Sequence, residues 1–487
     1  MIKKITAFFL LLLPALLLAQ YDAPLRIELE DAKDEFNYHL ANAGNNGLFV
    51  AYEGNRISED SINWVFLHYD TNLQNDYHFI LPFPLLTEFI TYKKSDNYLY
   101  FLLQKRFPKK SASKTSLVTV NLQNNQYNVT SISNLTNNQL AELFVRDHEI
   151  VIRASDNKSD SLFFYDCLTN TLSTYQSGFT FSVEFCELDT FNHRWLFGLN
   201  SKPDRHERQL LLYERDYLSH HEFVQPFPAS FPDNSDFIYN SARAAVINQD
   251  TTLIIGTYNT FQDKNSAQLH SGVYTLQLHK SSFDSAKFYN YSTLKTKTDV
   301  AFDSEVNNNI LNFQLFVGDI FHNRSQYTLA TEVYYPEYNN NYSYSGTQMY
   351  NYQTFVGFRY VNAYVTTFDA GGNLLWDNYF PFSNLLSQQL TKRLSVEYLG
   401  DEALVFYPYN SYIIHTLLRG YDVVERMASI KVENSYAQDK VEYCKNPEVF
   451  RWYDDYYLAT GYQYIRSKAK NPKSKRYVFY INKLQYK

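Results

Sequence analysis

A short phrase recurs along this chain: an apolar strand ending in an aromatic and an acidic or amide residue, then a polar turn, then a second aromatic strand. It stands as Phe66-Leu67-His68-Tyr69-Asp70, Leu162-Phe163-Phe164-Tyr165-Asp166, Leu210-Leu211-Leu212-Tyr213-Glu214 and Val365-Thr366-Thr367-Phe368-Asp369. Weaker copies run Leu117 to Asn121, Val273 to Leu278 and Leu417 to Asp422. Self-similarity at a regular interval constrains the fold more than any single motif, because each unit must bury its apolar face against the next. Upstream of each copy lies another strand-like run, as at Gly47 to Tyr52, Asn97 to Gln104, Glu149 to Ala154, Arg194 to Leu199, Thr252 to Tyr258, Ser325 to Tyr334, Ala403 to Tyr407 and Tyr456 to Tyr462. These runs are rich in Val, Ile, Thr, Tyr and Phe and are broken by Asn, Asp, Ser and Gly, the pattern of strands and turns. The unit therefore reads as an inner strand, a variable polar loop and a closing hairpin.

The anchors Tyr69, Val120, Tyr165, Tyr213, Leu276, Phe368, Tyr421 and Tyr480 are mostly spaced like the ~40 to 50 residues of a four-stranded propeller blade. Eight units follow: Phe36 to Phe83, Pro84 to Leu135, Thr136 to Ser177, Gly178 to Pro228, Ala229 to Leu294, Lys295 to Phe382, Ser383 to Asn434 and Ser435 to Lys487. The last is one strand short, and Leu25-Arg26-Ile27-Glu28-Leu29 is placed to supply it, which removes an exposed sheet edge. The expected fold is all-β, a single β-propeller of seven or eight four-stranded blades closed by an N-terminal strand. An array of β-sandwiches also has short, regular strands. It needs linkers between domains, and no Pro-, Gly- or Ser-rich spacer is present. The aromatic share of 17% suits half-buried strands. The best helix signal is one short stretch, Asn137 to Phe144.

Met1-Ile2-Lys3-Lys4, the apolar run Ile5 to Leu18 and the end Leu17-Leu18-Ala19-Gln20 have the order of a secretory signal peptide, so residues 1–20 are expected to be removed and 21–487 to form the propeller. No other segment approaches the ~20 apolar residues of a membrane helix. An exported protein, periplasmic or extracellular and associated with the cell surface, is expected, with no transmembrane segment after cleavage. Without Lys3 and Lys4 the formal charge moves from -7 to -9, with no basic stripe. Nucleic acid is a poor partner for such a surface. Cys167, Cys186 and Cys444 allow at most one disulfide; Cys167 with Cys186 is one option after export, and buried free thiols are the other.

Catalytic motifs are missing. The chain has no G-x-S-x-G elbow, no phosphate-binding G-x-x-x-x-G-K-[ST] and no H-E-x-x-H. His220-His221 are adjacent, so on a strand they face opposite ways and do not chelate one ion; a hairpin tip is expected. Asp454-Asp455 is expected in a turn rather than as the spaced carboxyl pair of a glycosidase. The basic clusters Lys105 to Lys114 and Lys468 to Arg476 read as hairpin loops. No cofactor, metal or catalytic residue is assigned.

The longest insertion carries more information. From Tyr334 to Tyr352, Asn339-Asn340-Asn341 sits among seven tyrosines, with no Val, Ile or Leu. Tyrosine offers rigid, amphipathic contact area at low entropic cost. The region at about 334–360 is thus the expected binding surface, with Tyr335, Tyr338, Tyr342, Tyr344, Tyr350 and Tyr352 as candidates on a surface loop.

Phe368-Asp369-Ala370-Gly371-Gly372-Asn373-Leu374-Leu375-Trp376 resembles the hairpin-plus-tryptophan docking motif of quinoprotein-like propellers and of the outer-membrane assembly propellers related to them, a family in which the Trp stacks between blades. Over its whole length the chain looks like exported propeller-like proteins of Bacteroidota. The residues that carry this are Leu17-Leu18-Ala19-Gln20, the Asn- and Tyr-rich strands, Phe368 to Trp376, and the C-terminal pair Trp452 to Tyr464 and Tyr477 to Tyr486. Asp60-Ser61-Ile62, Asp160-Ser161-Leu162, Asp250-Thr251-Thr252 and Asp284-Ser285-Ala286 also look like that phylum's three-residue O-glycosylation sites. The resemblance implies export and a propeller, and supplies no activity. The functional expectation is a non-enzymatic, monomeric binding or scaffold module for protein or glycan in the cell envelope. The alternative is a carbohydrate-active enzyme with acidic residues in the propeller funnel, and a third reading is a component of an envelope assembly machine.

Overall fold

The computed structural model describes residues 25–30, 37–105, 114–133, 135, 139–146, 148–156, 159–204, 207–228, 237–260, 272–294, 314–323, 325–345, 348–467 and 475–486. These residues form eight antiparallel sheets, seven of them following chain order and the eighth completed by the N-terminal strand. Blade one comprises His39–Asn42, Leu48–Arg56, Ser61–Tyr69 and Asn75–Pro84. Blade two comprises Thr87–Ser95, Tyr98–Lys105, Lys114–Asn121 and Tyr127–Ile132, and blade three Gln139–Arg146, Glu149–Ser155, Asp160–Asp166 and Thr171–Thr174. Blade four follows with Phe181–Asp189, Arg194–Asp204, Glu207–Asp216 and Glu222–Pro226. In blade five, Phe237–Val246, Thr251–Thr260 and Gly272–His279 are followed by two short pieces, Ser282–Phe283 and Lys287–Asn290, that both pair with the third strand. Blade six is Gln314–Asn323, Gln326–Ser345, Gln348–Asp369 and Leu374–Ser387, and blade seven Ser395–Leu399, Glu402–Tyr409, Tyr412–Arg419 and Asp422–Lys431. In blade eight, Asp439–Tyr453, Tyr456–Ser467 and Lys475–Gln485 are completed by Arg26–Glu30, which runs antiparallel to the third strand with Glu28 opposite Tyr480. The fold is a β-propeller, all-β, with its N-terminal strand closing the C-terminal sheet.

The recurring phrase lies in the third strand of its blade, and in the copies ending at Asp70, Asp166 and Asp369 the acidic residue begins the turn to the fourth, whereas Glu214 stays within the ladder opposite Phe223 and pairs with Arg194. Asp70 accepts backbone N–H groups of Asn72 and Gln74 at 2.9 and 2.8 Å, Asp166 that of Leu168 at 2.7 Å, and Asp369 that of Asn373 at 2.8 Å. Asp side chains satisfy turn amides in this way, so the phrase is structural. The upstream runs expected to be inner strands are instead the second strand of each blade. They read as continuous apolar runs because both faces are covered: Ile150 and Ile152 pack in the layer between blades two and three, while Val151 packs between blades three and four. Apolar layers of this kind lie between each successive pair of blades from two to seven.

The first strands are the ones that sequence periodicity does not reveal. In six blades an unpaired residue interrupts the first strand: Ile90, Ala141, Glu184, Asn240, the pair Gly318–Asp319, and Glu442. Such a bulge breaks the two-residue alternation and turns the strand. The helix signal at Asn137 to Phe144 falls on one of them; residues 137 and 138 lie outside the described residues, and from Gln139 the chain is strand. Leu140 and Leu143 pack between blades two and three and Phe144 against the layer between blades three and four, which overrides local propensity.

The chain divides into two compact units. One holds blades one and eight with residues 410–413 and 431; the other holds blades two to six and the rest of blade seven. In the first, Trp452 donates its indole N–H to the Gly47 carbonyl at 3.0 Å, and Tyr38 stacks on Phe479. Arg26 of the closing strand is held by Glu28, Asn482 and Gln463 at 2.8, 2.7 and 2.8 Å. The three cysteines carry free thiols, Cys167 at an exposed turn and Cys186 and Cys444 half-buried on strands. No helix among the described residues is long and apolar enough to cross a membrane. Residues 1–20 lie outside the described residues.

Candidate functional site

The tyrosine-rich insertion is not a loop. It continues the second and third strands of blade six into a two-stranded ribbon, with register running unbroken from Tyr338 opposite Phe355 to Tyr342 opposite Asn351. Beyond Glu337 and Gly357 the described strands pair only with each other. Its polar residues support strand pairing rather than oppose it: Asn341 donates to Thr354 at 2.7 Å, and Gln353 donates to Asn340 at 3.1 Å across the ladder. At its base Arg359 donates to both carboxylate oxygens of Glu337 at 2.6 and 2.9 Å, and these hydrogen bonds hold Glu337 below the usual carboxylate range.

Alternation of side chains gives the ribbon two unlike faces. On one, the rings of Tyr360, Tyr334, Phe358, Phe355 and Tyr338 form a chain with successive centroids 6.0, 5.7, 5.1 and 5.6 Å apart. Tyr360 and Tyr334 are buried, whereas Phe355 is 43% and Tyr338 49% exposed, so the stack starts in the packed layer and ends in solvent. Tyr342, 59% exposed, lies farther out on the same face. The other face is polar and carries Tyr335 beside Arg359, then Asn339, Asn341 and Tyr352.

The six candidate tyrosines therefore do not form one patch. Tyr338 and Tyr342 share the aromatic face, Tyr335 and Tyr352 belong to the polar one, and the side chains of Tyr344 and Tyr350 lie outside the described residues. Phe355 and Phe358, which complete the exposed stack, escape a search keyed to tyrosine. Their signal in the sequence is their spacing from Tyr338 across the hairpin, which needs the register to be known.

A second cluster is assembled by the first-strand bulges within the unit that holds blades two to six. Three residues beyond the unpaired Ile90, Ala141, Glu184 and Asn240 come Lys93, Phe144, Glu187 and Arg243, at one register level in four successive blades. Lys93 lies over the Phe144 ring, 5.9 Å from its centroid. Burial pushes Glu187 up to about 7, with Lys93 pulling it down and Asp319 and Asp189 adding to the rise. Asp319, in the blade-six bulge, is paired with Lys392 at 2.9 Å, and its side chain is 69% exposed. Burial raises its carboxyl, but Lys392, Arg243 and Lys93 outweigh that and leave it below the usual range. Arg243 donates to the carbonyls of Glu184, Ala242 and Val317 at 2.5, 2.7 and 2.8 Å, tying the bulged strands of blades four and six to its own.

The remaining motif residues are placed at turns. His220 and His221 lie in the turn between the last two strands of blade four, where His220 contacts Arg215 at 3.2 Å. Asp454 and Asp455 form the turn between the first two strands of blade eight. Residues 106–113 and 468–474, the cores of both basic loops, lie outside the described residues. Among the described residues no group of three or more His, Cys, Asp and Glu is arranged to hold a metal ion.

No family model and no curated protein sequence matches the chain. Among solved structures it is similar to the β-propeller domain of the Trilobed protease from Pyrococcus furiosus, with 8% identity, 80% of this chain and 100% of that one covered, and a TM-score of 0.35. It is also similar to the polysaccharide lyase Uly1, with 8% identity, coverage of 81% and 89%, and a TM-score of 0.43. A third likeness is to a functionally unknown protein from Desulfotomaculum acetoxidans, with 12% identity, coverage of 75% and 92%, and a TM-score of 0.34.

Proposed function

We propose that the protein is an exported, non-enzymatic propeller that binds protein or glycan in the cell envelope, and that the blade-six ribbon is its contact surface. The observation that carries this reading is the aromatic stack from buried Tyr360 and Tyr334 to exposed Phe355 and Tyr338. Exposed aromatics anchored on a packed base lose little conformational freedom on binding, which is why such residues dominate contact energies. The outer ribbon also leaves strand edges unpaired among the described residues, and an extended partner segment adds readily to such an edge. The apolar face of a sugar ring stacks equally well on the same rings. The test is affinity capture from envelope extracts together with a glycan array, each run with the parent and with a Tyr338→Ser, Phe355→Ser variant. A ligand captured by the parent and lost by the folded variant supports the reading. No ligand in either format, or equal capture by the variant, ends it.

A further inference from the structure

We infer that the outer ribbon of blade six pairs edge to edge with the same ribbon of a second copy of this chain, antiparallel about Asn340. The product is a weak two-fold dimer in place of the monomer expected from the sequence. This rests on the reading of the ribbon as the contact surface and names its partner.

The observation that carries it is the run Tyr338-Asn339-Asn340-Asn341-Tyr342, which reads the same in both directions. On one side this run is paired, Tyr338 opposite Phe355 and Tyr342 opposite Asn351. Along its other edge no strand lies among the described residues. Antiparallel pairing of two copies about Asn340 sets Tyr338 of one against Tyr342 of the other, and Asn339 against Asn341. Directly opposed residues share a face of the sheet. Tyrosine thus meets tyrosine on the aromatic face, extending the contact of Phe355 and Tyr338, whose ring centroids are 5.6 Å apart, into the second copy. Amide meets amide on the polar face, where each side chain both donates and accepts. Such self-complementarity under a two-fold rotation is what an isologous dimer requires.

Charge permits the pairing. From Tyr338 to Phe358 the sequence has no Asp, Glu, Lys, Arg or His. The charges flanking this stretch, Glu337 and Arg359, neutralise one another across the ribbon base. Edges meant to stay unpaired are blunted by charge, proline or bulges. Pro336 and the bulge at Val356 lie at the base, and Tyr338 to Tyr342 has none of these devices. The opposite edge fits its own copy less well. Pairing Asn351 to Phe355 about Gln353 would set the Phe355 ring against the Asn351 amide. An interface confined to one ribbon edge is small, so the dimer is weak.

Sedimentation equilibrium of the chain from Tyr21 onward, between about 5 and 200 µM, tests this. The parent is mostly monomeric at the low end and more than half dimeric at the high end, as a dissociation constant on the order of 50 µM requires. Asn340→Lys, at an exposed position, sets two ammonium groups against each other at the two-fold axis. It weakens association at least about 10-fold and leaves the melting curve unchanged. Asn340→Asp does the same, and an equimolar mixture of the two variants associates at least as well as the parent, because each lysine then faces an aspartate. A monomeric parent, association unaffected by Asn340→Lys, or a mixture that stays monomeric overturns the inference. Where the parent is monomeric but captures another protein or a glycan that Tyr338→Ser, Phe355→Ser loses, this inference falls alone. A monomeric parent that captures nothing ends both readings.

Discussion

Thr275 of blade five donates its hydroxyl to the carbonyl oxygen of Gly372 in the outer turn of blade six at 2.7 Å. Three more groups of blade five seize the same turn: Gln277 donates to Ala370 O at 2.8 Å, Lys287 to Gly371 O at 2.6 Å and Tyr289 to Gly372 O at 2.8 Å. Gly372 has φ +72°, and a Cβ there would lie 2.7 Å from the Thr275 hydroxyl oxygen. Gly372→Ala is therefore expected to cost about 2 to 4 kcal/mol, through left-handed backbone strain plus displacement of this contact. Thermal unfolding checks it, and Gly371→Ala serves as control. That glycine's nearest neighbours are the tips of Asn373 and Asp369, both at 3.2 Å, so a smaller loss is expected.

On the ribbon the expected effects are opposite in kind. Tyr338→Ala with Phe355→Ala removes two exposed rings and should change stability by no more than about 1 kcal/mol, as surface substitutions do. Ligand capture should fall at least about 30-fold, the scale of a lost hot spot of ~2 kcal/mol. Tyr352→Ala, on the polar face, should leave capture within about 3-fold of the parent. Equal losses from both faces would show that the aromatic stack is not the contact surface. Tyr360→Ala, at the buried end of the same chain of rings, should instead destabilise by about 3 to 5 kcal/mol.

The closing strand makes a third expectation. The Arg26 side chain is buried, and besides its three side-chain partners it donates to Glu433 O at 3.1 Å and covers the Tyr480 ring at 4.8 Å. Arg26→Ala leaves Asn482 and Gln463 without this donor and leaves Arg476 as the counter-ion of Glu28. Breaking one member of a buried ion network costs about 3 to 5 kcal/mol. Limited proteolysis should then cut near residues 25–30 faster than in the parent, and an unchanged cleavage rate would mean that the strand is held by its backbone ladder alone.

What the sequence made legible follows from which strands are symmetric in their burial. Second and third strands are covered on both faces, so Val151, Phe164 and Leu212 stand in runs that any apolar scan finds, and Asp70, Asp166 and Asp369 mark the turns beside them. First strands border fewer neighbours and are broken by bulges, so Glu184 and Asn240 fall out of phase and hide the strands around them. For the same reason Lys93, Phe144, Glu187 and Arg243, separated by intervals of 43 to 56 residues along the chain, have no linear motif. Only the bulge, repeated blade after blade, brings them to one level. The ribbon was legible as a surface and not as a strand pair, because Asn339-Asn340-Asn341 has poor strand propensity and its pairing depends on cross-strand partners such as Thr354.

Glu332, on the second strand of blade six, is 1% exposed and accepts the backbone N–H groups of Arg393 and Leu394 at 2.9 and 2.8 Å. Burial outweighs these bonds and pushes its carboxyl up to about 7, above the 4.5 of an unperturbed glutamate. The native state thus binds this proton more tightly than the unfolded chain. Stability from this group is complete below pH 4.5 and is lost as pH rises through about 7. Glu332→Gln imitates the protonated side chain, so it should match the parent near pH 5 and exceed it near pH 8, by on the order of 1 to 3 kcal/mol. Urea unfolding midpoints of both proteins at pH 5, 6, 7 and 8 measure the difference. A gap that widens with pH is the expected result, and parallel curves would mean that Glu332 enters the folded state ionised, its charge carried by the two amides.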